Sequence, residues 1–304
     1  ILNDDMPFLV DSVSAELTRQ GFQLYRTVHP VFKVRRDAKG TLLEVGPAEA
    51  VKSAGAAYES LIHIQMSPLP DGTDEARLFA DIEQILHAVR LVVTDWPAML
   101  NVCETAEAEL DQYATAIKKA DVQEVKDFLA WLRNKNFVFL GSIDYDFYDA
   151  NGAEALTVVP GSELGIFKMD DSELKPQGLQ GLPPEVLHFA MVPQLIEITK
   201  SNRKSIVHRA VHMDYIGLKR FDATGKVIGE HRLLGLFTSI VYYQSASTIP
   251  LIRRKFERIL SRANYDPAGH DGKTLKTILE FAPRDELFQI SEDDLFDYSL
   301  GVLS

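Results

Sequence analysis

Apolar positions along the chain change period several times, and each change marks an element. From residue 7 to 20, Phe8, Leu9, Val13 and Leu17 fall close to one helical face, and Gly21 stops the pattern. In "FQLYRTVHPVFKVRRD" (22–37), Val31, Lys33 and Arg35 share one face while Phe32 and Val34 share the other, which predicts one long strand. "DAKG" (37–40) reads as a turn into a second strand, "TLLEV". Residues 46–57, rich in Gly and Ala, read as a loop, and "ESLIHIQMSPL" (59–69) as a third strand. "DGTDEARLFADIEQILHAVRLVV" (71–93) has helical spacing, with Thr73 as its N-cap. With room for a short strand at 1–3, the order is βαββα, most of a ferredoxin-like unit.

An acidic, mostly helical connector follows from Trp96 to Lys119. Asp121 and Glu124 have the spacing of a capping box, opening a helix that ends at Asn136. Strands are then predicted at "FVFLGSIDYDFYDANG" (137–152), "EALTVV" (154–159), "LGIFKM" (164–169), "LIEITKS" (195–201), "SIVHRAVHMDYIGLKRFD" (205–222) and "KVIGEHRLLGLFTSIVYY" (226–243). A Pro/Gly-rich loop spans 176–184, and "DATG" joins the last two strands as a hairpin turn. Helices close the chain at "IPLIRRKFERILSRA" (249–263), "GKTLKTILEFA" (272–282) and after Ser291. The fold class is α+β: a ferredoxin-like βαββα(β) domain, a second domain on an antiparallel sheet, and C-terminal helices. The length of 304 residues fits two domains.

Charge narrows the partners. A net charge of −12 argues against nucleic acid. The charge is uneven, because Ser201–Arg262 holds twelve Lys/Arg against four Asp/Glu. That basic stretch either docks on the chain's own acidic parts or meets an external anionic partner. In "IPLIRRKFERILSR", five cations on one short helix repel each other unless something negative approaches, which marks Arg253, Arg254 and Arg258 as interface candidates. Within the chain, the acids around Glu104–Asp111 and the "SEDD" turn could serve. No apolar run is long enough for a membrane span. Cys103, the single cysteine, excludes an internal disulfide and fits a reducing, cytoplasmic setting. The chain starts at Ile1 rather than Met, so we expect it to be a piece of a longer protein.

Catalytic motifs are missing. No two glycines are separated by a single residue, so no dinucleotide fingerprint exists, and there is no P-loop, H-E-x-x-H or G-x-S-x-G. His208 and His212, four apart on a predicted strand, would share a face, but two histidines do not make a metal site. No metal is expected. His29 and His63 read as packed or surface residues. Asp293–Asp294 suits the first turn of a helix. Asp4–Asp5 has more interesting surroundings.

"DMPFLVDSV" resembles the signature of ACT domains, in which an acid, any residue, a proline, usually a glycine, and then apolar residues lead from the first strand into the first helix. Asp5, Pro7, Leu9, Val10 and Val13 match it, and Phe8 stands at the usual glycine. ACT domains bind amino acids at this loop and regulate attached enzymes. A helix N-terminus attracts a carboxylate, so Asn3, Asp5, Phe8 and Asp11 are the candidate ligand residues there. Arg203, Lys204 and Arg209 are candidates for an anion. The Phe8 ring is expected to fill the ligand space.

A longer resemblance covers nearly the whole chain. "NDDMPFLVDSV", "RNKNFVFLGSIDYD", "TKSNRKSIVHR", "MDYIGLKRFDATGKVIGEHRLLGLFTS", "IPLIRRKFERIL" and "HDGKTLKTILEFAPRDELFQI" are similar, in this order, to the N-terminal part of the large bacterial NAD-specific glutamate dehydrogenases. The resemblance implies an ACT-like domain at 1–97, a helical connector at 98–125, a PAS-like domain at 126–245 and a helical segment at 246–304. It implies a non-catalytic regulatory or architectural segment whose parent oxidises L-glutamate to 2-oxoglutarate and ammonia with NAD. The fragment itself would hold no cofactor and no catalytic residue. Its partners would be other domains of the same chain, in a homo-oligomeric parent. The alternative is a module that senses an amino acid or anion and acts on the attached enzyme.

Overall fold

The computed structural model describes residues 1–47, 54–113, 119–150, 153–169 and 194–303. The chain divides into two compact units: Ile1–Thr94 with Lys204–His212, and Asp95–Arg203 with Met213–Ser304. The predicted 176–184 loop lies outside the described residues.

The first unit runs β1 (Leu2–Asp4), α1 (Leu9–Arg19), β2 (Leu24–Val28), β3 (Val31–Arg36), β4 (Leu42–Gly46), β5 (Ala57–Leu61), β6 (His63–Met66) and then α2 (Glu75–Tyr113). The expected long first strand is broken. Proline has no N–H for a ladder, and at His29–Pro30 the segment divides into β2 and β3. A matching break at Ile62 divides β5 from β6. The halves join different sheets, β1-β5-β3-β4 in one and β2-β6 in the other, and neighbouring strands in both run antiparallel. The break is held by backbone bonds from Leu61 N–H to the Pro30 carbonyl and from Ile62 N–H to the Ile1 carbonyl. Val13 and Leu17 of α1 pack with Phe22 and with Leu78 and Ile85 of α2 as the core. Asp74, rather than the expected Thr73, caps α2, because its Oδ1 accepts the Arg77 N–H at 3.0 Å. Thr73 instead donates to the Pro70 carbonyl.

Helix α2 continues through Pro97. Proline removes one backbone bond and costs stability in a helix interior. Burial offsets this, because Met99, Cys103, Ala106 and Leu110 recur at helical spacing and are all buried.

The second unit holds α3 (Lys119–Trp131), β7 (Phe137–Ala150), β8 (Ala153–Val158), β9 (Leu164–Gly165), β10 (Ile196–Lys204), β11 (His212–Phe221) and β12 (Val227–Phe237). These are followed by α4 (Ser239–Tyr243), α5 (Ile252–Ala263), α6 (His270–Phe281), α7 (Arg284–Gln289) and α8 (Glu292–Leu303). The strands form a six-stranded sheet, β10-β11-β12-β7-β8, with β9 beside β7. The predicted last strand stops at Phe237, and 239–243 turns into α4. Phe237 stacks on Phe288 with ring centroids 4.7 Å apart, and Phe128, Trp131 and Phe137 complete an aromatic cluster.

Residues 205–211 are not strand, although their alternation predicts one. His208 has φ of 70°, which breaks an extended chain, and the segment belongs to the first unit. His208 and His212 are therefore not a same-face strand pair. Among the described residues no group of three or more His, Cys, Asp or Glu could hold a metal ion, and no helix is long and apolar enough to cross a membrane.

Candidate functional site

The start of α1 is built from residues far apart in sequence. After β1, the Asp5 N–H donates to the Tyr58 carbonyl, and Pro7 leads to Phe8 at φ 72°, ψ −3°. This is the left-handed region, which glycine enters freely and other residues enter at a cost. Phe8 holds it with support from its surroundings. Its ring lies 5.0 Å from the His208 ring, centroid to centroid. Its carbonyl accepts both the Ser12 N–H at 3.0 Å and the Ser12 hydroxyl at 2.6 Å. Ser12 Oγ in turn accepts the His208 N–H at 2.9 Å, and His208 Nδ1 meets Asp11 Oδ2 at 3.1 Å.

The segment carrying His208 is tied to itself. Ser205 Oγ donates to the Val207 carbonyl at 2.6 Å, and Ser205 N–H donates to the Val211 carbonyl. Val207 is fully buried. The first N–H groups of a helix have no partner inside it and draw anions. Here the chain's own residues 205–208 cover that end of α1.

The sequence-derived candidates divide. Phe8 and Asp11 meet at His208. Asp5 turns to the sheet, where its Oδ1 accepts the Ser60 hydroxyl at 2.6 Å. Asn3 turns to α2, accepting from Arg90 at 3.1 Å, beside the Arg90–Asp4 ion pair. Lys204 is exposed, and Arg209 is half-buried in the covering segment, while Arg203 belongs to the second unit. Sequence reading missed Ser12, Ser60, Arg90 and the role of His208. Nothing local signals a contact between positions 196 residues apart.

Two apparent nucleophiles are disarmed. Ser60 Oγ also lies 2.9 Å from His29 Nε2, so Ser, His and Asp are all present. The serine sits in the middle, however, with its hydroxyl donating to Asp5. Activation needs the histidine between serine and acid. Burial pushes the Cys103 thiol up to about 12, so it carries no thiolate near neutrality.

In the second unit, the cations of α5 find acids. Arg253 grips Glu124 through two bonds of 2.9 Å and also meets Asp127. Arg254 and Arg258 share Asp121 at 2.9 and 2.7 Å, Arg258 reaches Glu292 at 2.5 Å, and Arg262 reaches Asp293 at 2.5 Å. Lys255 donates to the Leu287 and Ile290 carbonyls at the end of α7, and burial lowers its pKa to about 8. The expected "SEDD" turn supplies two of these acids, whereas the acids of 104–111 do not take part in these pairs. Asp121 and Glu124, expected to cap α3, serve α5 instead. The demand for an external acid at Arg253, Arg254 and Arg258 is thereby met inside the unit. A cavity of about 430 Å³ opens beside this cluster, between Leu195, Ile198, Leu287 and Phe288 on its apolar side and Arg254 and Glu292 on its polar side.

These features define an α+β chain with antiparallel sheets whose first unit has the ACT-type strand–helix entry. Family models agree: "Glutamate dehydrogenase, ACT1 domain" matches residues 1–82, and "Glutamate dehydrogenase, helical motif 1" matches 249–304. The chain is a segment of the NAD-specific glutamate dehydrogenase family. It is 38% identical over 304 residues to the NAD-specific glutamate dehydrogenase of Halomonas elongata, covering 100% of this chain and 19% of that protein. The Pseudomonas aeruginosa relative of the same name is 32% identical over 303 residues, covering 100% of the chain and 19% of that protein. The Mycobacterium tuberculosis relative is 27% identical over 297 residues, covering 97% and 17%. The chain thus spans under a fifth of the length of these relatives.

Proposed function

We propose that this chain is a non-catalytic regulatory and architectural segment, N-terminal in a large homo-oligomeric, cytoplasmic NAD-dependent glutamate dehydrogenase. The parent would convert L-glutamate to 2-oxoglutarate and ammonia, with the NAD site and catalytic residues elsewhere in its chain. The observation that carries this reading is the occupied start of α1: the place where an ACT domain takes an amino acid is filled by Phe8 and residues 205–208. The missing dinucleotide fingerprint supports it from the sequence. In this reading residues 1–97 are ACT-like and 126–245 PAS-like. The antiparallel path of five strands, β10-β11-β12-β7-β8, supports the PAS-like part. Residues 98–125 connect them, and 246–304 form the helical segment.

The purified chain should produce no NADH from glutamate and NAD. Turnover that scales with chain concentration and survives repurification would overturn the proposal.

The alternative reading, a ligand-sensing module, keeps one specific observation on its side. In the cover over α1, both Phe8 and His208 hold positive φ, a backbone region that costs a non-glycine residue. Phe8→Gly would remove the ring and suit the backbone at φ 72°. In nuclear magnetic resonance titrations, free amino acids at millimolar concentration should leave the Ser12 and His208 amide signals of the wild type in place. The same titration should move them in Phe8→Gly. Movement in the wild type would favour the sensing role instead.

A further inference from the structure

The sheet of the second unit carries a charged cluster on one face that none of the readings above uses. Glu230 of β12 is its centre. Its Oε2 accepts Lys219 Nζ at 2.5 Å, and its Oε1 accepts the Tyr215 hydroxyl at 2.5 Å and Arg232 Nε at 3.2 Å. The antiparallel register sets Glu230 opposite Lys219 and Tyr145, and Arg232 opposite Gly217. Gly217 leaves the space this needs, since a Cβ there would lie 2.6 Å from the Tyr215 hydroxyl and 2.9 Å from Glu230 Oε2.

Arg232 is held flat and aimed. Its guanidinium carbon lies 4.4 Å from the Tyr145 ring centroid and 5.1 Å from that of Tyr215. Nε is engaged by Glu230, which leaves the two Nη groups. Neither finds an acceptor among the described residues, and the side chain keeps 17% exposure. The Tyr145 hydroxyl is fully buried and also lacks a partner among the described residues. Buried polar groups normally find partners. Here two unpaired donor groups belong to residues packed against each other, and one of them opens to the surface.

We propose that the Nη fork of Arg232, stacked over the Tyr145 ring, is a receptor for a small singly charged carboxylate. A guanidinium with a free fork matches a planar carboxylate through two parallel bonds. Glu230 and Glu197 stand near the cations, with Glu197 at 3.9 Å from Lys219, and they disfavour a dianion such as phosphate. Lys219 and Arg232 repel an α-ammonium group, so the ligand is a simple carboxylate rather than an amino acid. This site is independent of the covered α1 entry, and the two can fail separately.

The test is calorimetric titration and thermal shift of the chain at constant ionic strength with acetate, pyruvate, glycine and inorganic phosphate. Acetate or pyruvate should bind saturably and more tightly than glycine or phosphate. Arg232→Lys keeps the charge facing Glu230 but loses the fork, and should weaken carboxylate binding at least about tenfold. Tyr145→Phe removes a sealed hydroxyl and keeps the ring under the guanidinium, so it should fold and bind as the wild type does. Should Arg232→Lys fail to fold, the preference of the wild type for acetate and pyruvate over glycine and phosphate decides alone. The proposal is overturned by absence of saturable carboxylate binding, by phosphate or glycine binding as tightly as carboxylate, or by a folded Arg232→Lys that binds as the wild type does.

Discussion

Glu230→Ala should cost the second unit about 3–5 kcal/mol, because it strips the shared partner from two buried or half-buried cations. Glu230 is 1% exposed, and the Lys219 side chain is equally hidden. Burial alone works against a charged Glu230, but Arg232 and Lys219 outweigh it and hold its carboxyl below the usual range. The same burial, with Glu230 beside it, pushes the Tyr215 hydroxyl well above its ordinary value, so it stays a donor. Without Glu230, Lys219 keeps only the longer contact to Glu197 at 3.9 Å, and the Tyr215 hydroxyl loses its acceptor. Glu230→Gln keeps an acceptor and should cost less than the alanine. Both tryptophans, Trp96 and Trp131, lie in the second unit, so their fluorescence in a urea titration reports on it. A loss below about 1 kcal/mol for the alanine variant would mean that the cluster is not the buried ion network described here.

The contribution of His231 to the stability of the same unit should fall as the solution is made alkaline. His231 lies between Asp144 at 2.8 Å and Glu109 at 3.1 Å. Burial lowers its pKa, but the bonds and charges of Asp144 and Glu109 more than offset this and raise it from 6.5 to about 9. A raised folded pKa means that the protonated form belongs to the folded state. The contribution is complete below about pH 6.5 and is lost as pH rises through about 9, and it amounts to ~3 kcal/mol. Lys255, with its pKa lowered to about 8, works in the opposite direction above that pH but is common to both proteins, so the measurement is a difference. From about pH 6 to 9.5 the urea midpoint of the wild type should fall relative to that of His231→Gln, which is the less stable of the two at the acid end. Equal slopes in the two proteins would exclude His231 as the source.

Much of the helical structure was legible because its signals are local. Phe8, Leu9, Val13 and Leu17 fall on one side of α1, and Gly21 ends it, as the spacing alone implied. The Asp5–Pro7 entry and the long similarity to glutamate dehydrogenases were equally visible in the residues. Strands were harder to place, since alternation cannot say which sheet a strand joins. One apparent strand at 22–37 became β2 and β3 because Pro30 cannot donate and Ile62 breaks the partner strand at the matching place. "SIVHRAVH" alternates as well as any true strand, yet 205–211 left the sheet to cover α1.

Neighbours within a few residues are enough to place most of the helices, to show the ACT-type entry and to exclude a dinucleotide fingerprint from this sequence. That the start of α1 is covered follows from long-range packing alone. That depends on Ser12 and His208 meeting across nearly two hundred residues. Long-range packing also decided where the cations go. Composition shows a basic stretch in an acidic chain, but only packing sets Asp121, Glu124 and Asp127 against α5 and leaves Arg232 with an open fork. A charge is a property of a residue, whereas its pairing depends on which surfaces burial of the apolar faces brings together.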